Sequence, residues 1–153
     1  MAAFTDAFEN KLIDWLLRGQ TLGMATGTGT GPTTTYVGLF TANPTDSTAG
    51  TEVSGGSYAR VAITSSLANW AGTQAAASTV ASSGNTGTTS NNGAVTFPAP
   101  TASWGVITGF GIFDAASGGN LMIYGALTTS KTVNNGDAAP SFAAAALTFQ
   151  IDN

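Results

Sequence analysis

Phe4, Phe8, Leu12, Trp15 and Leu16 recur at spacings of four and three residues, the repeat of one face of an α-helix. Glu9, Lys11, Asp14 and Arg18 fall largely elsewhere around the same axis. The pattern predicts one amphipathic helix over residues 4–19. Asp6 followed three residues later by Glu9 resembles a capping box built on a carboxylate, and Gly19 stands where a left-handed residue would close the last turn. Ile13 and Leu17 widen the apolar stripe, so more than one surface can cover it. Docking within its own domain is the expected fate of such a helix, because packing rather than propensity stabilises short helices.

Helical periodicity stops after Gly19. Residues 23–33, GMATGTGTGPT, read as a Gly/Thr-rich linker. From Thr34 onward, β-branched and aromatic residues gather in short runs separated by Gly, Pro, Asn and Asp. Strands are predicted at Thr34–Thr41, Tyr58–Thr64, Ala94–Phe97, Val106–Phe113, Leu121–Leu127 and Leu147–Ile151, with Lys131–Val133 as a short extra piece. Gly118-Gly119, within Asp114–Asn120, marks a hairpin between two apolar strands. The expected fold is mainly β: an antiparallel β-sandwich or jelly-roll-like domain with one N-terminal amphipathic α-helix, the whole of 1–153 forming a single domain. Residues 65–93, rich in Ala, Ser, Thr, Gly and Asn, exceed the ordinary length of a loop in a compact domain. They are expected to form a long loop or arm that orders against a neighbouring subunit.

Composition changes what the elements can be for. The chain has 153 residues with no histidine, no cysteine, four basic and eight acidic side chains, a charged fraction of 8%. Ordinary domains carry about 25%. A chain without imidazole or thiol lacks the usual near-neutral proton carrier and the strongest common nucleophile, so an enzyme is not expected. Hydroxyls, carboxamides and glycine must keep the surface wet, which suits a molecule packed among copies of itself. Lys11, Arg18, Arg60 and Lys131 are scattered, so no nucleic-acid partner is expected. No apolar run approaches the ~20 residues of a membrane span, and MAAFTDAFENK lacks the basic and apolar regions of a secretory signal. No membrane association and no export by that route are expected.

The residues that invite a chemical reading are weak. TGTGTG, at Thr26–Gly31, has no following Gly-Lys-Ser/Thr and opens no helix, so it is not a phosphate loop. Asp46 and Glu52 are the nearest carboxylate pair of the kind that cleaves glycosides, but loop carboxylates at that spacing are far more often solvated or turn-forming. Asp46 has no series of acidic neighbours to hold calcium. No catalytic residue, cofactor or metal is therefore expected. Arg60, set among apolar neighbours in SYARVAIT, must be paired, with Glu52, Asp114 or backbone carbonyls. Trp15, Trp70 and Trp104 are too far apart in sequence to be grouped as a sugar platform, and core or interface packing is their expected role.

Read in order, FENKLIDWLLRG, TYVGLFTANPTD, EVSGGSYARVAIT, the long AVTFPAPTASWGVITGFGIFDAASGGNLMIYGALTTSKTVNNGDAAPSF and the closing ALTFQID resemble a family of small virion proteins of tailed bacteriophages, often labelled tail fibre proteins. The resemblance spans most of the chain apart from residues 75–89. It implies a non-enzymatic virion structural protein, assembled in the host cytoplasm, whose partners are other virion proteins (major capsid or tail proteins) and copies of itself, as a homo-oligomer. Neither heptads nor fibrous repeats are visible, and one compact domain fits a capsid decoration or cement subunit that stabilises the head. The alternative is a tail fibre or tail-tip protein involved in host attachment. For either role the expected contact residues are Phe4, Phe8, Leu12, Trp15 and Leu16 on the helix, with Leu67 and Trp70 on the long loop.

Overall fold

A computed structural model describes residues 4–23 and 29–151. Residues 24–28 of the expected linker lie outside that range. In chain order the elements are α1 (Asp6–Leu17), β1 (Thr34–Ala42), β2 (Thr51–Glu52), β3 (Val61–Thr64), β4 (Thr88–Ser90), β5 (Val95–Thr96), β6 (Gly105–Phe113), β7 (Leu121–Val133), β8 (Ser141–Phe142) and β9 (Thr148–Gln150). The class is the expected one, mainly β with antiparallel sheets and one helix near the N-terminus, consistent with a β-sandwich. The chain divides into two compact units, one of Met1–Thr34, Thr64–Ala94 and Phe142–Asn153, the other of Thr35–Ile63 and Val95–Ser141.

In the first unit, α1 is shorter than the periodicity suggests. Thr5, extended at φ −87° and ψ 149°, is the N-cap, and its carbonyl accepts the Phe8 and Glu9 amides at 2.8 and 3.0 Å. Asp6 is the first helical residue, so the expected carboxylate capping box does not form; with Glu9 it instead places negative charge in the first turn, where the helix dipole favours it. The C-terminal expectation holds. Gly19 adopts φ +69°, and a Cβ there would lie 2.5 Å from the Ser65 carbonyl oxygen. The face that α1 buries is Ile13 and Leu17, together with Glu9, Asp14 and Arg18.

What covers that face is the long Ala/Ser/Thr stretch. Asn10 Nδ2 donates to the Gly84 carbonyl at 2.9 Å, and Ser82 donates to Asp14 through its amide (2.9 Å) and its hydroxyl (2.5 Å). The same stretch continues into β4, which pairs antiparallel with β9, Thr89 opposite Phe149. Trp70 is wholly buried with its ring edge-on to Phe149, centroids 5.5 Å apart. Asn91, 1% exposed, ties the unit together: Nδ2 donates to Gly93 and Ala143 carbonyls at 2.7 and 2.8 Å, and Oδ1 accepts the Leu147 amide at 2.8 Å.

The second unit is built on a sheet ordered β2-β1-β6-β7, with β3 also on β1. β1 and β6 are central strands, and both of their faces are buried over most of their length, Val37, Leu39, Phe110 and Ile112 among the core. Their register sets Gly38 opposite Gly111. A Cβ on Gly38 would lie 2.9 Å from the Phe113 ring, and one on Gly111 would lie 2.7 Å from the Phe40 ring. The two glycines therefore leave room for Phe40 and Phe113 to stack over the sheet, centroids 6.0 Å apart.

β6 and β7 form the expected hairpin. Asp114 closes it, its carboxylate accepting the Asn120 amide and side-chain N–H, both at 2.7 Å. The two pieces expected at Leu121–Leu127 and Lys131–Val133 are one strand, β7, interrupted by an irregularity: Ile107 pairs with Lys131 but Gly109 pairs with Ala126. Residues 127–130 thus stand against the single Thr108 of β6, an excess of three residues. The strand expected at Tyr58–Thr64 begins only at Val61, because Gly55, Gly56 and Ser57 run at positive φ and carry Tyr58 through a turn.

Candidate functional site

The contact residues expected from the sequence occupy quite different environments. Phe4 is 57% exposed, with its ring edge-on to Phe8 at 5.1 Å. Phe8, Leu12, Trp15 and Leu16 are half-buried, as is Leu67, whereas Trp70 has no exposed surface. The apolar stripe of α1 therefore remains partly open while the flank carrying Ile13 and Leu17 is filled. Trp15 is covered on one side by its own chain: a Cβ on Gly31 would fall 1.9 Å from the Trp15 carbonyl oxygen, and Thr21 bridges Thr30.

Two ion pairs anchor the units from inside. Arg18, with no exposed surface, bonds the Asp14 carboxylate, Ser82 Oγ at 2.9 Å, and the carbonyls of Trp70 at 3.1 Å and Val80 at 2.5 Å. In the second unit Arg60 meets Glu52 in a two-point fork, Nε to Oε1 and Nη2 to Oε2, both 2.7 Å. Its Nη1 donates to the Ala115 and Gly118 carbonyls at 2.7 and 2.8 Å, and its guanidinium lies 3.4 Å from the centre of the Phe113 ring. Glu52 raises the Arg60 pKa mainly through these hydrogen bonds. Burial pushes the Tyr58 hydroxyl above its ordinary 10.0, and that hydroxyl accepts the Leu39 amide at 2.8 Å while donating to Glu52 Oε1 at 2.9 Å. Glu52 is thus held by an arginine and a tyrosine, an arrangement that gives it a structural role.

Asp46 is placed otherwise. Its Oδ1 accepts the Tyr124 hydroxyl at 2.5 Å, across 78 residues of sequence. That bond raises the Tyr124 pKa, and Tyr124 is 40% exposed. On the same loop, Asn43 Oδ1 accepts Thr108 Oγ1 at 2.8 Å. This surface group was not foreseen from the sequence, which paired Asp46 with Glu52. Of the tryptophans, Trp70 and Trp104 are buried, Trp104 donating from Nε1 to the Gly56 carbonyl at 2.9 Å.

Residues 3–150 match the family model of Podophage GP4 fiber I protein gp80. No curated protein matches the chain.

Proposed function

The chain belongs to the gp80 fibre-protein family, and from that membership we propose that it is a structural subunit of a bacteriophage fibre, working by shape and contact without catalysis. The single observation that carries this reading is the extent of the match, which takes in the helix and every strand. The family name favours the fibre over the capsid decoration subunit expected from compactness. The chemistry supports a structural role: Glu52, one of the two carboxylates that could have formed a catalytic pair, is committed to Arg60 and Tyr58. Partners are other virion proteins and copies of this chain, met through the partly open row Phe4, Phe8, Leu12 and Leu16.

Labelling purified particles with an antibody to this chain and staining its band quantitatively tests the proposal. A fibre subunit gives label away from the head and on the order of a few to a few tens of copies per particle, set by the low symmetry of a tail. Label spread over the shell, with copies on the order of hundreds as icosahedral decoration requires, returns the reading to a cement protein.

A further inference from the structure

Asparagine followed by glycine occurs twice in the chain, at Asn92-Gly93 and Asn135-Gly136, each time after another asparagine. We infer that Asn135 is a site of spontaneous modification, closing on Gly136 to a cyclic imide that water opens to aspartate or isoaspartate, and that the fold withholds Asn92 from the same reaction. The inference is independent of the fibre assignment.

In this reaction the glycine backbone nitrogen attacks the asparagine Cγ. A C–N bond forms, the nitrogen's proton and the side-chain NH2 leave together as ammonia, and a succinimide remains. Water then adds to one of the two imide carbonyls. Breaking the C–N bond on the side-chain side restores the main chain with an aspartate; breaking the other routes the chain through the former side chain and lengthens it by a methylene. Glycine favours the attack, because it has no Cβ to crowd the nitrogen and lets the backbone rotate. Both sequences therefore permit the step, and local structure decides between them.

Asn135 and Gly136 are the central residues of a turn in which the Asp137 amide donates to the Asn134 carbonyl at 3.2 Å. Gly136, at the third position, has φ +79°, as a type II turn requires, and a Cβ there would meet nothing within 4 Å. Both residues are exposed, and among the described residues nothing holds the Asn135 carboxamide. Water can solvate the oxyanion that forms on that carboxamide and can reach the imide that follows. The nucleophile itself is tied only by the bond from the Gly136 amide to the Pro100 carbonyl, 3.0 Å long, which local opening of an exposed turn releases.

Asn92 is held on all sides. It is half-buried, its amide donates to the Asn69 carbonyl at 2.8 Å, and its Nδ2 reaches the Leu67 and Ser78 carbonyls at 3.4 Å each. Its Oδ1 is shut away from solvent with no donor beside it. Attack would place negative charge on that oxygen, where neither water nor a protein N–H stabilises it.

Conversion of Asn135 adds a negative charge next to Asp137, on a chain whose net charge is −4. The Asp137 carboxylate already accepts the Asn134 amide at 2.7 Å, and the Gly136–Pro100 bond ties the turn to the segment before Trp104. Lengthening the turn by a methylene loosens both ties, so the modification marks the age of the molecule at the end of β7.

Trypsin separates the two motifs, since cleavage after Arg60 and Lys131 puts Asn92 in the peptide 61–131 and Asn135 in 132–153. The full chain is incubated for weeks at neutral and at mildly alkaline pH, folded and in denaturant, and the acid forms are located by tandem mass spectrometry. In the folded chain Asn135 is expected to convert to both aspartate and isoaspartate, faster at the higher pH because the attacking amide must lose its proton. Asn92 is expected to convert more slowly by roughly tenfold or more, a ratio that the loss of a single hydrogen bond would nearly supply. In denaturant the two are expected to convert at similar rates. Asn135→Gln, which makes the ring harder to close, is expected to leave 132–153 unchanged. A folded chain in which Asn135 stays intact, or in which Asn92 keeps pace with it, overturns the inference; so does conversion of 132–153 that persists in Asn135→Gln.

Discussion

Arg60 and Asn91 are both polar residues at structural centres, yet only one of them was legible. Arg60 sits in a run of apolar residues, and a cation so placed has to find an anion and carbonyls; Glu52 and the loop carbonyls of Ala115 and Gly118 are what it finds. Asn91 belongs to a tract of Ser, Thr and Asn whose local pattern carries no burial signal, and its partners Ala143 and Leu147 are more than fifty residues away. Arg18 was hidden for the same reason, since the carbonyls that surround it come from residues 70–80. Asn91→Ala strands the buried Leu147 amide, whereas the Ala143 carbonyl keeps the Ala146 amide and Gly93 is exposed, and one unpaired buried group costs about 1–3 kcal/mol. Chemical denaturation is expected to show a loss of about 1–3 kcal/mol, without a change in slope.

At the scale of elements, local signals predicted what local forces determine. The β6–β7 hairpin followed from its glycine pair, and the end of α1 from Gly19. β2, β4 and β8, of two or three residues each, offer too little pattern to be seen, and the break in β7 divided one strand into two expected pieces. The Asp46–Tyr124 pair was half legible: Asp46 was singled out, but its partner Tyr124 is brought to it only by strand register. Asp114, at the hairpin's neck, titrates below its ordinary 3.8 because the Asn120 side chain, then the Asn120 amide, bond to its charged form. A carboxylate with a depressed folded pKa contributes in full above its unfolded value and loses that contribution as pH falls through the folded one. The Asn120 amide and side-chain resonances are therefore expected to hold steady from neutrality down to about pH 4 and to shift toward those of a loosened turn at lower pH.

For the molecule as a whole, the scarcity of charge governs how it meets its neighbours. Four basic and eight acidic residues are spread over 153 positions, and Arg18, Asp14, Arg60 and Glu52 are already spent on internal pairs. In the proposed role, attachment to the particle is expected to rest on apolar burial, such as the open row of α1, and on neutral hydrogen bonds, neither of which salt screens strongly. Purified particles washed at rising sodium chloride are expected to keep the protein, whereas mild detergent is expected to strip it; release by moderate salt alone would sink this account.

Arg18 gathers the Asp14 carboxylate, the Ser82 hydroxyl and the Trp70 and Val80 carbonyls around one buried guanidinium. The N-terminal helix is in that sense a clasp on a segment that has few large side chains of its own to hold it shut. Removing α1 together with Arg18 would release a region some fifty residues downstream.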